Sequence, residues 1–137
     1  STLRQKLLTV YLLSFLFEIN GQEQFNTSFV PPYIIKALSY IENYYNEKIT
    51  ADSLSKKLFI GRTTLMTGFK KHTGSTLNDY IIATRIKKAV TLLNEGKSES
   101  ETAELCGFSD AGSLIRNFKK YFDLTPKQYI KKQTHQH

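Results

Sequence analysis

A chain of 137 residues with 40% apolar side chains suits one compact domain or two small ones and excludes a large multidomain enzyme. Its apolar residues are spread too evenly for a disordered chain, and seven glycines with three prolines leave long windows in which helices can form. Nineteen basic against 12 acidic residues give a net charge of +7, which points to an anionic partner, either nucleic acid or an anionic membrane surface.

The first predicted element is an apolar helix over residues 7–19, LLTVYLLSFLFEI, which follows Arg4 and Lys6. It falls short of the roughly 20 apolar residues that a bilayer span needs, and no small-x-small cleavage site follows it, so no membrane or secretory role is read from it. The Asn26-Thr27-Ser28 glycosylation triplet is then coincidental. Residues 20–32 break the periodicity and read as a linker, with Pro32 placed to open a helix. Helical spacing returns at Ile34, Leu38, Ile41 and Tyr45, ending near Asn46, and Thr50 can cap a short helix bearing Leu54 and Leu58.

An internal repeat organises the rest. Laid over residues 99–129 at an offset of 49, residues 50–80 bring Phe59 to Phe108, Leu65 to Leu114, Phe69-Lys70-Lys71 to Phe118-Lys119-Lys120, Thr76 to Thr125 and Tyr80 to Tyr129. Each copy reads as a short helix, a tight turn (Phe59-Ile60-Gly61; Gly107-Phe108-Ser109) and a second helix that stops at Gly74 or Asp123. That is a helix-turn-helix written twice. Ser98 with Glu101 forms a capping-box signal, Asp110 can cap the next helix, and Thr125-Pro126 opens a closing helix with Tyr129 and Ile130. Between the copies, residues 76–95 form one helix of about 30 Å, stopped by Gly96.

The fold class is therefore all-α: residues 31–74 and 97–137 are two helix-turn-helix subdomains, residues 75–96 link them, and residues 1–30 carry the extra apolar helix and linker. Cys106 is the single cysteine and sits among apolar residues, as a small buried side chain in a reducing compartment would. His72, His135 and His137 have no ligand cluster, so no metal or cofactor is assigned. No phosphate-binding loop, clustered carboxylates or nucleophile–base constellation supports an enzyme.

Charge placement gives the repeat a purpose. Residues 61–95 hold six basic and two acidic groups, and residues 111–132 hold six basic residues against the single acid Asp123. Two helices held about one turn of B-DNA apart can enter successive major grooves, while lysines at their ends meet phosphates.

The second copy, SESETAELCGFSDAGSLIRNFKKYFDLTPKQY, closely resembles the signature of the AraC/XylS family of bacterial transcriptional regulators. Its most specific elements are Cys106-Gly107-Phe108-Ser109-Asp110, Arg116 with Phe118-Lys119-Lys120, Thr125-Pro126 and Tyr129, and the resemblance covers about residues 31–132. It implies a cytoplasmic, seven-helix DNA-binding domain with recognition helices near 62–72 and 111–121. Carried over by position, base contacts fall to Arg62, Thr63, Met66 and Thr67 in the first and to Ala111, Gly112, Ile115 and Arg116 in the second, with Lys70, Lys71, Lys119 and Lys120 on phosphates. Gly112 stands where the family usually has a polar residue, Asp123 where it has a turn Gly and Thr102 where it has Ile. Gly68 lies inside a recognition helix, where Gly costs about 1 kcal/mol relative to Ala.

The resemblance also implies a preceding regulatory or dimerising domain, of which residues 1–19 would be the last helix, and activation through RNA polymerase; the alternative is a helix packed on its own DNA-binding domain. The apolar residues cover almost the whole circumference of this helix, which points to a homodimer through residues 3–19 or docking to that domain. The competing reading is a helical protein-interaction module whose basic patch binds an acidic partner or an anionic membrane; the second copy of the helix-turn-helix argues for double-stranded DNA.

Overall fold

Pro31 and Pro32 fix where the repeat-bearing region starts, because a proline at the first helical position loses no helical hydrogen bond. The computed structural model describes residues 3–19 and 30–134. Their helices are α1 (Leu3–Ile19), α2 (Pro32–Tyr44), α3 (Ala51–Lys57), α4 (Arg62–Thr73), α5 (Leu77–Asn94), α6 (Glu99–Cys106), α7 (Ala111–Phe122) and α8 (Pro126–Thr134). There is no strand among the described residues. The glycosylation triplet, most of the linker, His135 and His137 lie outside the described residues.

Helices α3, α5, α6, α7 and α8 begin where a side chain satisfies a free N–H group, whereas α2 and α4 begin at Pro31 and Gly61 without a side-chain cap. Thr50 Oγ1 accepts from Ser53 N at 3.0 Å while Ser53 Oγ accepts from Thr50 N, a reciprocal capping box. Ser98 accepts from Glu101 N at 3.1 Å and Asp110 from Ser113 N at 2.7 Å. Thr125 and Gln128 cap α8 reciprocally at 2.9 and 3.2 Å. The stops also fall as expected: Gly74 and Asp123 both take the left-handed conformation, at φ +77° and +59°. Helix α2 ends two residues before Asn46. There the Arg85 guanidinium donates to the carbonyls of Tyr45 (2.7 Å) and Glu47 (2.9 Å), taking over acceptors that a longer helix would use.

The repeat is real, but its register is not uniform. The N-caps Thr50 and Ser98 lie 48 positions apart, whereas the N-caps Gly61 and Asp110, and Thr76 and Thr125, lie 49 apart. The second unit therefore carries one extra residue in its turn. The pairing of Phe59 with Phe108 is thereby corrected: Phe59 occupies the place of Gly107, both with positive φ, and Ile60 occupies the place of Phe108. Backbone bonds agree, since Ile60 N donates to Ser55 O and Phe108 N to Ala103 O, the same five-residue closure in each turn. Phe108 is buried and Phe59 is 95% exposed, so identical residues do opposite things.

After the turn the two units match. Phe69 meets Tyr80 edge-on at 5.3 Å and Phe118 meets Tyr129 edge-on at 5.4 Å, so the same aromatic pair anchors α4 and α7 each to the helix that follows it. Leu65 with Phe69 and Leu114 with Phe118 are fully buried one turn apart. Helix α5 is more than a spacer: Leu77, Tyr80, Ile81, Ala83, Ile86, Ala89 and Leu93 are buried along its length, and it packs on α1, α2, α4, α6, α7 and α8.

Helix α1 packs on α5 and α7, placing Leu7 and Val10 in the shared core. Polar contacts fix it at three further points: Lys6 to Asp79 at 2.8 Å, Ser14 to Glu42 at 3.2 Å, and an ion pair between Arg4 and Asp123. Burial alone would raise the Glu42 carboxyl, but Lys88 at 2.8 Å and Lys87 at 3.1 Å outweigh it and hold it below the usual carboxylate range. The Lys6 hydrogen bond likewise lowers Asp79. Leu8, Tyr11, Leu12 and Phe15 remain exposed on the outer side.

Candidate nucleic-acid interface

Recognition helix α4 presents Arg62, Thr63, Met66, Thr67, Lys70 and Lys71 to solvent, all exposed, while Leu65 and Phe69 hold its other side in the core. The spacing requires this, because residues three and four apart share a helical face. In α7, Arg116, Lys119 and Lys120 are exposed, whereas Ala111, Gly112 and Ile115 are only half-exposed. This face of α7 offers Arg116 as its outstanding exposed hydrogen-bonding side chain. Guanidinium to guanine is the bidentate contact that this chemistry makes in a major groove; methyl-bearing Met66, Ile115 and the threonines suit thymine methyls.

The electrostatics sort the cations. Of the six basic residues in 61–95, three work inside the fold: Arg85 on two carbonyls, Lys87 buried against Glu42, and Lys88 on the same carboxylate. The remaining three, Arg62, Lys70 and Lys71, all lie on α4. Sequence reasoning missed this division because a run of Arg and Lys in a helix reads as a solvated face; Glu42, the acid that draws two of them inward, lies far off in the chain. Among the described residues Arg116, Lys119 and Lys120 have no carboxylate within ion-pair distance, so their charges are available to an external anion. Asp123, at the end of α7, is occupied by Arg4, and Asp110, at its start, accepts from Ser113 N. Arg62 differs, since its Nε lies 3.3 Å from Asp52 across the first turn, an exposed pair that holds it only weakly.

Two glycines in the recognition helices acquire reasons. The hydroxyl of Tyr33 from α2 occupies the place where a Cβ on Gly68 would stand, so the absent side chain lets α2 and α4 approach. A Cβ on Gly112 would come 3.1 Å from Arg116 Nη1 and 3.4 Å from Asp110 Oδ1. Cys106 is fully buried, and burial pushes its thiol up to about 11 against the pull of Arg85 and Lys88, which makes it an inert packing residue.

Paired helix-turn-helix units, each with an exposed basic second helix, define a DNA-binding class of fold. Comparison with known proteins narrows the class: residues 54–132 match the family described as a helix-turn-helix domain. The xylose operon regulatory protein of Escherichia coli K12 is 33% identical over 103 residues, which cover 74% of this chain and 26% of that protein. The solved C-terminal domain of the two-component response regulator yesN from Fusobacterium nucleatum is 37% identical, with a TM-score of 0.67, over 70% of this chain and 95% of that one. The DNA-binding domain of AdpA, solved in complex with a target DNA, shares the fold at a TM-score of 0.73 with 21% identity, over 78% and 97% of the two chains. The chain belongs to the AraC/XylS family of transcriptional regulators. It spans about a quarter to a half of the length of the curated relatives it matches. No helix among the described residues is long and apolar enough to cross a membrane.

Proposed function

We propose that this chain binds double-stranded DNA sequence-specifically in the bacterial cytoplasm and regulates transcription, with α4 and α7 in successive major grooves. The observation that carries this reading is the pair of exposed basic helices fixed to one linking helix. That helix has 18 residues, so it is about 27 Å long, of the order of the roughly 34 Å turn of B-DNA. Base reading falls to Arg62, Thr63, Met66 and Thr67 on α4 and to Ala111, Gly112, Ile115 and Arg116 on α7. Lys70, Lys71, Lys119 and Lys120 neutralise phosphates and supply the salt-dependent part of the affinity. The regulatory output runs through RNA polymerase, as an activator, and no catalytic step is involved. Footprinting on a selected operator tests the docking: two protected patches about 10 base pairs apart on one face of the duplex are expected. A single patch at saturation would overturn bipartite binding.

Residues 1–30 form, in this reading, the end of a preceding regulatory region, and α1 carries the contact between two copies of the chain. The exposed Leu8, Tyr11, Leu12 and Phe15 recur at the spacing of a helical seam and support that assignment. Sedimentation should show a dimer that becomes a monomer when Leu8, Leu12 and Phe15 are replaced by Ser; a monomeric wild type would remove the homodimer.

A further inference from the structure

A glycine in the first turn of a helix is a cost, and Gly112 has no turn geometry to justify it. Its φ lies outside the left-handed region, and Asp110 already caps α7 through Ser113 N at 2.7 Å. Space is what it leaves. Arg116 lies one turn on, and a helical side chain leans back toward the N-terminus over the residue four positions earlier. The Arg116 Nη1 would be 3.1 Å from a Cβ at position 112, closer than side chains normally approach, whereas the 3.4 Å to Asp110 Oδ1 is ordinary contact. Only the guanidinium would have to move. Among the described residues no carboxylate stands within ion-pair distance of it, so a Cβ at 112 would shift the guanidinium by a few tenths of an ångström without breaking an ion pair.

We infer that Gly112 is a specificity-determining residue that acts through Arg116. By carrying no Cβ it lets the guanidinium lie flat along the N-terminal turn of α7, the end that enters the groove, with its fork set for a guanine edge. This rests on the proposed base-reading role of Arg116. Gly112, which has no side chain to offer a base edge, is thus a positioning residue within the proposed reading face.

The test is a double-mutant cycle on the full chain, using Gly112→Ala, Arg116→Ala and the double variant, with binding-site selection, operator affinity and thermal melting on each. Gly112→Ala should melt no lower than wild type, because Ala is the better helix former. It should nevertheless lose about fivefold or more of the preference at the base pairs that Arg116→Ala relaxes, and leave the half-site of α4 unchanged. In the Arg116→Ala background the same methyl should change neither affinity nor preference. An equal loss in both backgrounds would mean that the methyl collides with DNA directly, and would overturn the inference. So would a Gly112→Ala profile identical to wild type beside a relaxed Arg116→Ala profile. If Arg116→Ala itself leaves the selected sequence unchanged, the base-reading role falls first and this inference with it. Should Gly112→Ala melt lower, Gly112→Ser at the same position separates overpacking from displacement: the displacement account requires the same base pairs to relax in both variants, and preserved selection in either would overturn it.

Discussion

In the second helix-turn-helix unit a glycine, Gly107, takes the left-handed conformation at the turn and an aspartate, Asp123, takes it at the end of the recognition helix. In the first unit the assignments are exchanged: Phe59 is left-handed at the turn and Gly74 at the helix end. Within the two units a left-handed backbone is therefore demanded at four places, Gly96 after the linking helix lying outside them, and each unit meets one demand with glycine and one without. The difference lies in what surrounds each place. A Cβ on Gly107 would stand 2.8 Å from the carbonyl oxygen of Asn46 and 2.9 Å from its Cα, both backbone atoms of the other subdomain, whereas Gly74 has open space around it. Phe59 points into solvent. Asp123 is of a residue type that tolerates the region, and its carboxylate meets Arg4. Among these four left-handed positions, glycine is obligatory only at Gly107, where the two subdomains touch.

The sharpest way to break this comparison is Gly107→Ala. Backbone strain and a clash with an immobile peptide act together there, and a loss of about 2–3 kcal/mol is expected in urea unfolding. Gly74→Ala is the control, with strain but no clash and a loss of about 1 kcal/mol. Equal losses would mean that the contact with Asn46 contributes nothing.

These features divide by how far along the chain their causes lie. The caps at Thr50, Ser98, Asp110 and Thr125 were legible because donor and acceptor lie three residues apart. The stops at Gly74 and Asp123 and the aromatic anchors Phe69 and Phe118 were legible because one unit repeats the other. The turn register was not, because an identical Phe at 59 and 108 draws an alignment across an inserted residue whose only trace is backbone conformation. Nor was the reason for Gly68, which is the hydroxyl of Tyr33 from another helix, or the inward use of Lys87, which depends on Glu42. For the candidate interface, the positions implied by the family resemblance all fall on α4 and α7, but which of them are half-covered depended on packing.

A second difference between the units gives a smaller effect of opposite sign. At the matching place in the first helix of each unit stand Leu54 and Thr102, both fully buried, and Thr102 Oγ1 has no hydrogen-bond partner among the described residues. A buried hydroxyl that bonds to nothing costs more than the methyl that could replace it, so Thr102→Val should stabilise the chain by about 1 kcal/mol. An unchanged or lowered melting temperature would show that the hydroxyl is satisfied after all.

The smallest effect is expected at Phe59, and its sign is what matters. Its backbone sits at φ +56°, where an L side chain costs about 1–2 kcal/mol relative to glycine. The ring is 95% exposed, so removing it forfeits almost no burial. Against the relief stands the extra freedom that glycine gives the unfolded chain, about 0.4–1 kcal/mol. The balance favours Phe59→Gly by about 0.5 kcal/mol, read as a higher urea midpoint at unchanged slope. Because Gly107 performs the same turn in the other unit, the substitution makes the two turns alike at this position, and the gain measures what the first unit forgoes by keeping an aromatic there. A loss of stability would mean that the ring packs on the domain in solution, and that the exchange of left-handed residues between the units is not the backbone matter argued above.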